Sequence, residues 1–253
     1  MKKVSVLCCI ILMIGMLPAG ESVQNNPVII PIITSANIVN AEIWEQEYKL
    51  LASDNTTANN FGESVCIDDN TAIVGIPFDD DNGPGSGSAY IFTRSGTTWS
   101  LEQKLLPSDG STGKRFGKSV AVDGDTALIG AYNDYTGSVY VFTRGGTAWT
   151  QQAKLLASDG EVNDYFGVSV SLDGDTALIG AYWDDDNGDY SGSAYVFTRS
   201  GTSWNQQVKL LASDGVEDDQ FGISVSLSGD SALIGSFANA AGSAYVFTRS
   251  GTI

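Results

Sequence analysis

From Trp44 onward, short apolar or alternating runs are separated by turns rich in Gly and Asp. One stretch gives residues 149–157, 168–172, 176–181 and 193–198 as such runs. Val168, Val170 and Leu172 fall on one side of an extended chain and Ser169 and Ser171 on the other, which is the two-residue period of a β-strand. Ala127-Leu128-Ile129 is nearly continuous apolar sequence and predicts a strand buried on both faces. Gln151, Gln152 and Lys154 give the 149–157 run one polar side, as an outer strand requires. Asp123-Gly124-Asp125 and Asp173-Gly174-Asp175 join alternating runs as two-residue hairpins. No run carries a convincing helical period.

The same four runs recur along the chain. Trp44, Trp99, Trp149 and Trp204 each stand 17 residues before a Phe-Gly pair, at Phe61, Phe116, Phe166 and Phe221. A landmark glycine follows each Phe by 14 residues, at Gly75, Gly130, Gly180 and Gly235. Length varies in one connection alone: Gly75 to Tyr90 and Gly180 to Tyr195 span 15 residues, Gly130 to Tyr140 and Gly235 to Tyr245 span 10. A connection that absorbs insertions between elements in strict register is a surface loop. Four-stranded antiparallel units repeated at about fifty residues predict an all-β fold, a β-propeller with four blades. In chain order the units start on the outer strand, D, followed by the inner strands A, B and C. Residues 44–52 can thus supply the outer strand of the blade that ends at Thr248, so the ring is expected to close by pairing 44–52 with 243–248.

The start of the chain differs. Met1-Lys2-Lys3 precedes the apolar run 4–17, with Ala19 and Gly20 behind it. This pattern predicts a secretory signal peptide over 1–20, with cleavage as late as 41, then a linker over 21–43 and the propeller over 44–253. The chain is expected to be secreted or at the cell surface, with no membrane span once the signal is removed. Cys8 and Cys9 lie in the apolar run, so Cys66 alone remains and no intrachain disulfide is expected.

From Trp44 on, 11 Lys and Arg face 28 Asp and Glu, which keeps the net charge at −17. Such a surface repels phosphate backbones and anionic headgroups, and it excludes nucleic acid as a partner. The absence of histidine removes Ser-His-Asp and Cys-His catalysis, and the copies single out no carboxylate pair. An enzyme is therefore not expected.

In an up-and-down blade, the A–B and C–D turns share one face of the disc and the B–C and D–A connections the other. The first face carries Arg94, Arg144, Arg199 and Arg249 beside the hairpin aspartates, expected as structural ion pairs. The second carries the insertions Asp79-Asp80-Asp81-Asn82-Gly83 and Asp184-Asp185-Asp186-Asn187-Gly188, with Glu161, Asp164, Glu217, Asp218 and Asp219. Asp79, Asp81, Asp184 and Asp186 are candidate ligands for a cation, and calcium suits their oxygens best. The alternative is a solvated acidic turn, because the spacing matches no EF-hand loop. No other cofactor is indicated. The four repeated Trp are expected to anchor blade packing, whereas Phe78, Tyr132, Trp183 and Phe237, near the variable loop, are candidates for stacking on a ligand.

Phe61-Gly62 with Gly75-Ile76-Pro77, Phe116-Gly117 with Gly130-Ala131, Phe166-Gly167 with Gly180-Ala181 and Phe221-Gly222 with Gly235-Ser236 resemble the FG-GAP repeat of integrin α-subunit propellers. The closer resemblance is to the short FG-GAP variants common in archaeal and bacterial exported proteins. The resemblance implies a propeller that presents its ligand surface on the B–C and D–A loops: an extracellular binding or adhesion module for a protein or glycan at the cell envelope. A structural envelope component, or a fragment of a larger propeller, is the alternative, and a carbohydrate-active enzyme follows only from members fused to or acting as such enzymes. The chain departs from the integrin pattern twice. Its A–B turns are too short for a calcium loop, and it has four units where integrin propellers have seven. Closure as a small ring, membership of a larger one and assembly with another chain all remain open.

Overall fold

A computed structural model describes residues 44–54, 59–237 and 241–251. The expected signal peptide and linker lie outside the described residues. Among the described residues no helix is long and apolar enough to cross a membrane. Two compact units divide the chain, Met1–Glu45 and Gln46–Ile253. The first contributes only Trp44, which is 98% exposed, and Glu45.

The second unit is all β. Blade one is formed by β1 (Ser64–Asp68), β2 (Thr71–Ile76), β3 (Ser88–Ser95) and β4 (Thr98–Leu105). Blade two comprises β5 (Ser119–Asp123), β6 (Thr126–Ala131), β7 (Ser138–Gly145) and β8 (Ala148–Leu155). Blade three comprises β9 (Ser169–Asp173), β10 (Thr176–Ala181), β11 (Ser193–Ser200) and β12 (Ser203–Leu210). Blade four has β13 (Ser224–Ser228), β14 (Ser231–Ser236) and β15 (Ser243–Thr248). Each sheet runs in sequence order and is antiparallel throughout, with four strands in blades one to three and three in blade four. The innermost strands β1, β5, β9 and β13 neighbour one another in turn.

Local chemistry explains the strands. β2 and β6 are buried along their whole length, as continuous apolar runs must be. The hairpin glycines Gly124, Gly174 and Gly229 take φ of 54° to 56°, and Asp69 holds the same place in blade one at 46°. The aspartate ending each inner strand accepts a hydrogen bond from the turn amide of the next blade: Asp68 from Gly124, Asp123 from Gly174 and Asp173 from Gly229. The repeated arginines close the C–D turns. Arg144 and Arg199 donate to Asp125 and Asp175 at 2.6 Å and lie over Trp149 and Trp204, 5.2 and 5.4 Å from the ring centres. This is the structural role expected of them.

Successive blades meet through their repeated glycines. A Cβ on Gly75 would lie 2.0 Å from the carbonyl oxygen of Gly117, and the Gly130–Gly167 and Gly180–Gly222 pairs are as close, at 2.0 and 1.9 Å. The Phe-Gly of one blade thus packs on the landmark glycine of the blade before it. Ser64, Ser119 and Ser169 bridge the same junctions by donating to the carbonyls of Gly117, Gly167 and Gly222. Phe116, Phe166 and Phe221 are fully buried, edge-on to the paired aromatics of their own blade, such as Tyr140 and Phe142. Cys66, in the place of Ala121, Ser171 and Ser226 in the other copies, packs against the core shared by blades one and two.

The expected closure is not made. Residues 44–52 form no strand, and among the described residues β15 pairs with β14 alone. Leu50 and Ala52 are instead part of the core of blade one, and Asp54 is fixed there by Tyr90 and Lys104. Among the described residues both end faces are exposed. Val65 and Ile67 of β1 are 68% and 63% exposed, and Leu233 and Val246 of blade four 47% and 71%. Leu128 and Val141, in the places of Leu233 and Val246, are fully buried in blade two.

Candidate functional site

The B–C and D–A connections gather on one face, and in blades one to three they converge on a lysine of the outer strand. Lys104 on β4 reaches Asp54, Asp79 and Asp81 at 2.5, 2.9 and 2.8 Å. Lys209 on β12 reaches Asp159, Asp184 and Asp186 at 3.0, 2.8 and 2.6 Å. Lys154 on β8 meets Asp109 and Asp134, both at 2.7 Å, and Lys114 joins the same two carboxylates at 3.2 and 3.1 Å. The structure therefore brings Asp79 and Asp81 together, and likewise Asp184 and Asp186, each pair around an ammonium group. Asp54, Asp79 and Asp81 have the mutual spacing of a metal-binding group. A calcium ion there would have to displace the Lys104 ammonium.

A buried tyrosine completes each cluster. Tyr90, Tyr140 and Tyr195, all fully buried, donate to Asp54, Asp109 and Asp159 at 2.7, 2.7 and 3.0 Å. Burial opposes the charge of Lys209, yet hydrogen bonds to Asp184, Asp186 and Asp159 outweigh it and raise its pKa. Burial likewise works against Asp109, but hydrogen bonds from Lys154, Tyr140 and Lys114 hold it below the usual carboxylate range. Burial and hydrogen bonding to Asp109 push the Tyr140 hydroxyl up. These groups are locked in one protonation state near neutrality, which suits a fastening better than an acid or base.

Asp164 behaves differently. Its side chain is buried, with one oxygen 2.6 Å from the Glu161 amide. Burial, reinforced by the charges of Asp184 and Asp185, pushes its pKa up to about 6 despite the Glu161 hydrogen bond and the nearby Lys209. Asp164 lines a cleft of about 190 Å³ together with Asp159, Glu161, Asp184, Asp185 and Asp186. Asp218 and Asp219 lie on the next connection, where the Asp219 carboxylate accepts from the Val216 amide.

Beside this cleft stands an aromatic cluster spanning blades two and three. Tyr165 contacts Tyr132, Tyr182 and Trp183 at centroid distances of 5.1, 5.6 and 4.5 Å, and Trp183 contacts Tyr190 at 4.9 Å. All five rings are part-exposed loop residues, and the indole N–H of Trp183 is enclosed without an acceptor. Of the stacking candidates, Trp183 and Tyr132 enter this cluster. Phe78 lies under the Arg115 guanidinium at 3.9 Å, and Phe237 stands 67% exposed.

Tyr165, Tyr182 and Tyr190 are the members that the sequence pattern did not single out. Tyr165 precedes Phe166, at a position that reads Asn60, Arg115 and Gln220 in the other copies, and all four residues take positive φ, from 53° to 61°. A variable residue held in the left-handed region ahead of an invariant Phe-Gly is the signal that would have found it.

A family model described as the FG-GAP repeat matches residues 44–92, 99–142, 149–197 and 204–247. No curated protein matches the chain. Among solved structures, that of Saccharomyces cerevisiae Sqt1 is similar at 13% identity with a TM-score of 0.43, over 75% of this chain and 48% of that one. The chain thus spans about half the length of that structure. Four matches in register, each ending in the third strand of a successive blade and together carrying the glycine contacts between blades, place this chain in the FG-GAP repeat family.

Proposed function

We propose that the chain is an exported binding module that holds a glycan, or a cationic segment of an envelope protein, on its B–C and D–A face. The observation that carries this reading is the aromatic cluster of Tyr132, Tyr165, Tyr182, Trp183 and Tyr190 beside a cleft lined by six carboxylates. Part-exposed rings on loops add nothing to the blade cores, which are filled by the repeated Phe and Tyr. Such rings stack on the apolar faces of sugars or on cationic and aromatic side chains. The neighbouring carboxylates accept hydrogen bonds from hydroxyls or ammonium groups. Export is supported by the basic start and apolar run of residues 1–20. The exposed Val65 and Ile67 on β1 favour a second reading, in which the chain is a fragment of a larger propeller.

The test is a glycan array and a pull-down of envelope proteins, run with the wild type and with the double variant Tyr165→Ala, Trp183→Ala. Retention of a ligand by the wild type and its loss by a folded double variant is the expected result. Equal retention by both would place binding elsewhere on the molecule.

A further inference from the structure

We propose that the cleft of blade three takes the side chain of a lysine from a partner polypeptide, its ammonium group standing where Lys114 stands in blade two. This rests on the binding face proposed above and names the group that enters it. The two blades carry the same cluster. The Tyr140 hydroxyl meets Asp109 while Lys154 pairs with Asp109 and Asp134, as Tyr195 and Lys209 do with Asp159 and Asp184. Blade two adds a second ammonium, that of Lys114, 3.2 and 3.1 Å from the same two carboxylates. Two negative charges there meet two positive ones.

Two residues before the Phe-Gly pair, at the position of Lys114, blade three has Asp164. An acid has replaced the second cation. Asp164 is only 5% exposed and lines the cleft, and among the described residues no ammonium or guanidinium group pairs with it. The same holds for Glu161 and Asp185 on the cleft walls, while Asp159, Asp184 and Asp186 share the single ammonium of Lys209. A buried carboxylate without a partner is costly, and a cation brought from outside removes that cost. At about 190 Å³ the cleft has room for one side chain.

The rings beside the cleft lack a cation as well. Trp183 stands three residues after its landmark glycine, as Phe78 does. The Arg115 guanidinium covers Phe78 at 3.9 Å, but the residue placed toward Trp183 in the same way is Gln220, whose amide bonds the Tyr190 carbonyl as that of Arg115 bonds Gly85. Among the described residues no cation lies over Tyr132, Tyr165, Tyr182, Trp183 or Tyr190. Elsewhere in this fold the two partners come together: the ammonium groups of Lys104, Lys154 and Lys209 each meet carboxylates and lie 5.1 to 5.3 Å from a tyrosine ring centre. A lysine suits the cleft better than an amino sugar does. Its long flexible stem lets the main chain rest on the exposed rings while the ammonium reaches Asp164, whereas the amino group of a sugar is fixed to its ring.

Titrations of the full chain at neutral pH, followed by the NMR signal of the Trp183 indole N–H, test this. The probes are the peptide acetyl-Gly-Lys-Gly-amide, the same peptide acetylated on its lysine, cadaverine, a glucosamine trimer and calcium chloride. The wild type is expected to bind the lysine peptide and not its acetylated form. Asp164→Lys fills the cleft from within as Lys114 does in blade two, so it is expected to melt higher than the wild type and to weaken the peptide at least about tenfold. Asp164→Asn removes the charge alone and is expected to weaken it about fivefold. A wild type that ignores the lysine peptide, or Asp164→Lys or Asp164→Asn binding it like the wild type, overturns the proposal. So does binding of cadaverine, the glucosamine trimer or calcium in place of the peptide. If both peptides bind equally and the double variant Tyr165→Ala, Trp183→Ala loses both, the lysine is refuted while the ring face keeps its role.

Discussion

Gly130 of blade two lies against the backbone of Gly167 in blade three, so close that a Cβ on Gly130 would stand 2.0 Å from the Gly167 carbonyl oxygen. The FG-GAP signature is therefore a junction between blades and not a feature within one. Replacing Gly130 by Ala is expected to cost roughly 2 kcal/mol or more, because backbone must move on both sides. Gly235→Ala would meet the rotatable Ser224 hydroxyl and no facing blade among the described residues, and the protein is expected to tolerate it. Thermal unfolding of the two variants checks this, and equal losses would deny the junction its role.

Lys209 holds Asp159, Asp184 and Asp186, of which Asp184 is buried. Lys209→Met leaves those charges facing one another and is expected to cost about 2–3 kcal/mol. Calcium is expected to leave the melting temperature of the wild type unchanged and to raise that of Lys209→Met, since only the variant offers a free set of oxygens. A calcium shift in the wild type would show that a metal competes with the lysine.

Asp164 gives a pH signature. Its folded pKa of about 6 lies above the unfolded value of 3.8. Below 3.8 both states hold the proton and the group is neutral toward stability. Between 3.8 and about 6 the unfolded chain releases its proton first, so folding stability falls as pH rises through that window, and above it the loss is complete. Asp164→Asn keeps an acceptor for the Glu161 amide and removes the charge. The variant is expected to be more stable than the wild type at pH 7.5, by about 3 kcal/mol, and to match it below pH 3.8. A constant difference across that range would rule out the titration.

The single O–H of Tyr195 lies between Asp159 and Asp184, 3.0 and 2.9 Å from their carboxylates, in a fully buried position. Tyr195→Phe keeps the ring packed on Phe166 and removes only the hydroxyl, so the expected loss is about 1–2 kcal/mol, read by denaturant unfolding. A neutral result would make the tyrosine a packing residue alone.

The strands were legible because their signals are local. The alternation of Val168, Val170 and Leu172, and the Asp-Gly turns at 123–125 and 173–175, place β9, β10 and the hairpins within one residue. The blade glycines were legible as markers, yet their purpose, contact with the next blade, is a tertiary fact that spacing does not carry. The acidic insertions were correctly placed on one face, while the ammonium at their centre was not foreseen. Lys104 and Lys209 read as ordinary polar positions of an outer strand, and only the packed blade aims them at carboxylates from two separate connections. The pairing of 44–52 with β15 failed for a related reason. The sequence of that segment matches an outer strand, but its apolar side packs on blade one, and strand identity alone does not say which edge it meets.

Ligand is expected to bind at the Tyr165–Trp183 cluster on the B–C and D–A face. The most direct measurement is calorimetric titration of the best ligand from the array into three proteins: wild type, Trp183→Ala, and Asp175→Asn on the opposite face. The account predicts that Trp183→Ala weakens binding at least about tenfold with its melting temperature retained, and that Asp175→Asn binds as the wild type does. Equal affinity of Trp183→Ala and wild type, or loss of binding in Asp175→Asn, would contradict it.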